Sequence, residues 1–205
     1  MAFELWPSSG RFAGVVQQDE GIEWDVELVV YRNGVVHTSS LPGARWVCEL
    51  WFPDDTVAYI VDRRRLESLL TSLRGGAKRL RLGNLLTPKP LGTLQTGTPQ
   101  VATTMAEGAT SVNLKLCNGT LLRGDRFQFG ATGQRVMATA DATPDGSANM
   151  TVAFEPAARV SAAVNTAIVY DKPFTSYILA EPRNIFPSRQ DKLPGFGIRL
   201  IEGAE

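Results

Sequence analysis

The strongest constraint on this chain is its alternation of apolar and polar residues through the first third. Ile22, Trp24, Val26 and Leu28 lie two apart, with Glu23, Asp25 and Glu27 between them. A period of two places alternate side chains on opposite faces of a strand, one face packed and one wet. Val29-Val30-Tyr31 and Val35-Val36 flank Asn33-Gly34, a pair that tolerates the left-handed backbone of a tight turn and so predicts a hairpin. After Leu41-Pro42-Gly43 the alternation resumes in residues 45–52. There Trp46, Cys48, Leu50 and Phe52 share a face, Trp51 falls on the other, and Pro53 ends the strand.

The period then changes. Val57, Ile60, Val61, Leu66, Leu69, Leu70 and Leu73 recur at threes and fours, which predicts a helix. Asp54-Asp55 suits its start, where carboxylates meet free N–H groups, and Gly75-Gly76 suits its end. Arg63-Arg64-Arg65 reads as a solvated helix face balanced by Asp62 and Glu67. Residues 78–82 alternate again as a strand. Residues 87–99, with three prolines and two glycines, read as a linker. Beyond it the texture shifts to small residues and turn clusters, with short strands expected near 111–116, 126–129, 134–138, 149–154 and 167–170. That pattern predicts a compact antiparallel barrel or sandwich. Phe174, Ser176, Ile178 and Ala180 define one side of a further strand, and residues 196–201 another, both expected to return to the first sheet.

The expected fold class is therefore mainly β with one main helix (α+β). It combines an antiparallel β-sandwich-type domain, residues 1–92 plus 168–205, with an inserted small β-barrel or sandwich module, residues 93–167. At 205 residues both parts are large enough to bury a core.

Charge and composition exclude several classes. The 21 basic and 21 acidic residues cancel, so no net field draws the chain to nucleic acid or an anionic membrane. No apolar run reaches the roughly 18–20 residues of a membrane helix. Residues 1–6 lack the basic and apolar regions of a secretory signal, which predicts assembly in a reducing cytoplasm. Cys48 and Cys117 are far apart and outside any metal-type spacing, so they read as buried thiols. The sequons at Asn118 and Asn149 then carry no consequence.

No motif for chemistry stands out. The chain lacks a nucleophile elbow, a phosphate loop, a dinucleotide fingerprint and a zinc-protease helix. The sole histidine, His37, has no partner nearby in sequence. Asp141 and Asp145 suit turns and lack calcium-loop spacing. The expectation is thus no catalytic residue, no metal ligand and no cofactor. Trp24, Trp46 and Trp51, with Phe52, offer either a sugar- or base-stacking surface or a packed core. Their spacing favours the core for all but Trp51, which should meet the helix, a neighbouring subunit or a ligand.

The order of landmarks carries a resemblance. Pro42-Gly43-Ala44-Arg45-Trp46 leads into a strand closing at Phe52-Pro53. A helix then runs into Leu73-Arg74-Gly75-Gly76-Ala77-Lys78-Arg79-Leu80-Arg81-Leu82-Gly83. A small β module follows with Leu122-Arg123-Gly124-Asp125-Arg126-Phe127-Gln128-Phe129 and the strand end Phe154-Glu155-Pro156. Over most of the chain this resembles the tail-tip and baseplate structural proteins of tailed phages, close to the distal tail protein group. The resemblance implies a non-enzymatic virion protein assembled in the host cytoplasm. It would form a homo-oligomeric, sixfold ring that joins the tail tube to hub and baseplate proteins, without nucleic acid or membrane contact. Expected interface residues are Trp51, Arg63 and Arg64, with Arg183, Asn184 and Phe186 in a charged arm at 182–194. A monomeric glycan-binding or host-recognition module is the alternative, expected if Trp24 or Trp51 is exposed in a groove. An enzyme with two acids from remote positions is the third reading.

Overall fold

The computed structural model describes residues 3–5, 17–24, 26–30, 36–40, 44–52, 60–84, 90–94, 99–130, 134–181 and 196–203. The described residues are mainly β with one short helix, as the alternation predicts. It divides into two compact units, Met1–Leu82 with Ser176–Glu205, and Gly83–Thr175.

The first unit holds β1 (Phe3–Leu5), β2 (Gln17–Glu23), β3 (Val26–Val30), β4 (Val36–Ser40), β5 (Arg45–Phe52), α1 (Ile60–Ser72) and β6 (Arg79–Gly83). Its main sheet runs β1-β6-β13-β14-β5-β2, taking in two late strands, β13 (Phe174–Leu179) and β14 (Phe196–Glu202). β13 with β14, β14 with β5 and β5 with β2 pair antiparallel, and β1 lies parallel to β6. Trp46, Cys48, Leu50 and Phe52 are buried, while Trp51 is 47% exposed, so the parity read from β5 holds. Inside the same unit Leu70, Leu73, Leu80, Leu82, Tyr177, Leu179 and Leu200 are buried too.

One expectation changes in this unit. The strand through Ile22 stops at Glu23, and Trp24 is 48% exposed rather than core, because the next paired segment belongs to a separate hairpin. That hairpin is present as expected, with Val30 paired to Val36. On β13 Phe174, Ser176 and Ile178 share one side, as expected, and the buried residues are Thr175, Tyr177 and Leu179 on the other.

α1 covers the later part of the expected helix; Asp54 and Asp55 lie outside the described residues. The helix ends as expected near its glycines, in a 3-10 turn at Arg74–Gly76, with Gly76 at φ +98° and the Lys78 N–H donating to the Leu73 carbonyl.

The second unit is a small barrel. Its strands are β7 (Gln100–Val101), β8 (Ser111–Lys115), β9 (Arg126–Phe129), β10 (Arg135–Ala138), β11 (Met150–Glu155) and β12 (Ile168–Val169). They run β12-β9-β10-β11-β8-β7. A bridge from Gln100 to Ala167 draws the last edge to the first, with the Val101 N–H donating to the Thr166 carbonyl at 2.9 Å. Closure removes the free edges an open sheet would present. Phe127, Phe129 and Phe154 meet edge-to-face at its centre, centroids 5.5–5.9 Å apart, the arrangement that aligns ring quadrupoles favourably.

Part of the expected linker belongs to this barrel. Leu94 is fully buried, and its N–H donates to the Thr120 carbonyl at 3.1 Å. The carboxylate of Asp125, itself 2% exposed, accepts from the N–H groups of Leu91, Gly92 and Leu122 at 2.5, 3.0 and 2.8 Å. Gly92 is required there, since a Cβ would lie 2.1 Å from the Thr120 carbonyl oxygen. Gly92, which reads as part of a spacer, therefore serves a close backbone approach.

Candidate functional site on the open sheet face

The face of the main sheet opposite Trp46 and Leu50 is built in rows across β2, β5 and β14. Register sets Gln17 beside Trp51 and Gly197. The next row holds Asp19, Glu49 and Arg199, the next Gly21, Val47 and Ile201, and the last Glu23 and Arg45. Register and strand parity together put these side chains on one face, because antiparallel partners at the same level point to the same side.

Charges are matched within the face. Glu23 receives Arg45 at 3.0 Å and Arg199 at 3.2 Å, and Arg199 reaches Glu49 at 3.6 Å. All these groups are more than two-fifths exposed, so the pairs orient side chains more than they stabilise the fold. Asp19 is outside this chain of ion pairs and accepts from the Gln17 amide at 2.7 Å. Gly21, with no neighbour where a Cβ would sit, leaves an open hollow of about 310 Å³ bounded by Asp19, Glu23, Val47, Glu49 and Arg199.

Trp51 ends the array. A Cβ built on Gly197 would lie 3.0, 3.0 and 3.2 Å from three consecutive carbons of its benzo ring. Near-equal distances to three ring atoms mean that the ring presents its face, so the indole lies flat over the Gly197 backbone. The sequence shows the outward parity of Trp51 but not its seat. A glycine inside an alternating strand, at Phe196-Gly197-Ile198, was the available signal for a close approach.

The other expected interface residues are dispersed. Arg64 is exposed on α1, Arg63 lies on the same helix with its side chain outside what is described, and Arg183, Asn184 and Phe186 lie outside the described residues. His37 is on β4 opposite Val29, its side chain likewise outside the described set.

Among the described residues no three His, Cys, Asp or Glu side chains are grouped to hold a metal ion. Asp141 and Asp145 serve turns. Asp141 accepts from the Arg123 N–H, and Asp145 accepts from the Asn149 and Ser147 N–H groups, which hold its carboxyl below the usual range. Cys48 and Cys117 are buried free thiols. The amide of Gln18 donates to the Cys48 sulfur at 3.7 Å, and burial pushes Cys117 up to about 11. At pH 8 only about one Cys117 in a thousand is then thiolate, the reactive form. Folded protein mixed with a disulfide reagent at pH 8 should release almost no chromophore while urea-unfolded protein quickly releases two equivalents. A fast equivalent from the folded chain would contradict this burial.

The sequence matches no protein-family model and no curated protein.

Proposed function

We propose that this protein is a structural component of a phage tail tip or baseplate, forming a ring that joins the tail tube to the hub. The observation that carries the reading is architectural. A main sheet built from early and late strands accepts a closed barrel as an insertion between β6 and β13, in the order that the tail-tip resemblance implies. A unit whose sheet is completed by its own early and late strands can make repeated subunit contacts whatever its insertion carries. The first unit offers what a ring needs: β1 and β2 end the main sheet among the described residues, and α1 shows Arg64, Arg65, Ser68 and Thr71 to solvent. Arg63 and Arg64 on the helix, with Arg183, Asn184 and Phe186 in the arm, are the contacts proposed for neighbouring copies. The partners are other copies of the chain, tail-tube protein and hub protein, and the location is the virion tail after assembly in the host cytoplasm.

Native mass spectrometry of the purified chain should give six copies of 22.3 kDa each. Antibody labelling of intact particles should decorate the tail tip alone. A monomer at every concentration together with unlabelled tails would sink the proposal.

A further inference from the structure

The open face of the first unit has the composition of a carbohydrate site, and we propose that Trp51 is a stacking platform for a neutral oligosaccharide. The inference stands on the geometry of this face and does not need the ring.

Three features combine. First, the indole is held flat by Gly197 beneath it, and at 47% exposure its other face is open. A rigid aromatic plane offers its negative face to the weakly positive C–H groups of a pyranose, and holding it in advance removes an ordering cost from binding. Second, the neighbouring rows carry planar groups that pair with vicinal hydroxyls: the Gln17 amide, the Glu49 and Asp19 carboxylates and the Arg199 guanidinium. Third, the hollow over Gly21 and Val47 continues the surface. From Trp51 to Val47 is four residues of strand, about 13 Å, the reach of a short oligosaccharide whose first ring stacks on the indole.

The same features argue against a second copy of the chain as the occupant. A protein partner would have to desolvate Asp19, Glu23, Glu49, Arg45 and Arg199 together, and burying charges already satisfied by water and by one another is costly. Protein hot spots instead place tryptophan among groups that can be dried. Sugar hydroxyls replace water at those charges without removing their hydrogen bonds. Three carboxylates against two guanidiniums leave the face slightly acidic, which selects neutral or N-acetylated sugars over sulfated or sialylated ones.

The test uses the full chain. A printed array of neutral, N-acetylated, sialylated and sulfated oligosaccharides is screened first, and chitotriose, maltotriose and cellotriose are then titrated while the four indole N–H signals are followed by NMR. The expected result is array binding confined to neutral or N-acetylated glycans, and a saturable shift of the Trp51 signal with at least one trisaccharide. Trp51→Ala should weaken that binding at least tenfold. Gly197→Ala, which lifts the ring off the strand while keeping the indole, should weaken it too. Trp24→Ala removes the other tryptophan exposed among the described residues and should leave binding unchanged. The proposal is overturned if no neutral glycan binds on the array or in solution, or if Trp51→Ala binds as well as the parent. It is equally overturned if the Trp51 signal moves with protein concentration and not with sugar, which would make the face a contact between copies.

Discussion

Asp125→Ala is expected to cost the inserted barrel about 3–5 kcal/mol, a large share of the roughly 5–15 kcal/mol that holds a typical domain folded. One carboxylate, 2% exposed, accepts three backbone N–H groups: Leu91 on one oxygen, Gly92 and Leu122 on the other. Hydrogen bonds to a charged acceptor contribute about 1.5–3 kcal/mol each, and buried donors left without an acceptor lose roughly 1–3. The three share one acceptor group, so their contributions do not simply add. Asp125→Asn keeps one oxygen but turns an NH₂ group toward an N–H donor, so it should recover less than half of the loss. Gly92→Ala attacks the same junction from the other side by driving a methyl into the Thr120 carbonyl. Urea unfolding, combined with amide exchange read across Gly83–Thr175, checks all three. A loss below about 1 kcal/mol for Asp125→Ala would show that these bonds do not hold the strap at 90–94.

That junction also marks where sequence reading reached its limit. The barrel strands were legible almost to the residue. Residues 126–129 were expected and Arg126–Phe129 is observed, with 134–138 off by one residue at its start and 149–154 off by one at each end. Local alternation and turn residues are enough for short antiparallel strands, because both signals lie within a few positions. The strap was read as a linker because Gly and Pro punctuate it, whereas its function as a barrel element depends on Asp125, 33 positions away. β7 was missed for a similar reason: two residues carry no period, and its place is set by pairing with Lys115 and bridging to Ala167. Trp24 departs from the expected core because period two continues through a residue where the strand stops.

The open face divides in the same way. The outward side of Trp51 followed from counting residues along β5. That Gly197 lies beneath it, that Arg199 lies beside Glu49, and that Gly21 opens a hollow over Val47 all depend on register between strands up to about 150 positions apart. No period within one strand contains that information. What is readable is a branch point, since Trp51 is expected to meet the helix, a neighbouring subunit or a ligand, and the neighbouring charges favour the ligand.

The second large effect comes from the opposite face of the same strand. Trp46→Ala is expected to cost the first unit about 3–5 kcal/mol, the range for deleting a fully packed large aromatic side chain. Trp46 is 1% exposed on the parity of Cys48, Leu50 and Phe52. Its own backbone N–H donates to the Glu202 carboxylate at 2.9 Å, so the strand is tied near the end of β14 at the very residue whose side chain is removed. The surrounding strands cannot close fully over so large a void, and the penalty grows with the cavity that remains. Trp51→Ala, five residues along, removes an indole that rests on one glycine and faces solvent, so its effect on stability should stay within about 0.5 kcal/mol. Chemical denaturation of the two variants side by side makes the contrast decisive, because composition change and strand position are nearly the same. If both substitutions destabilised the unit equally, Trp51 would be part of the packing, and the open face would lose its claim to a ligand.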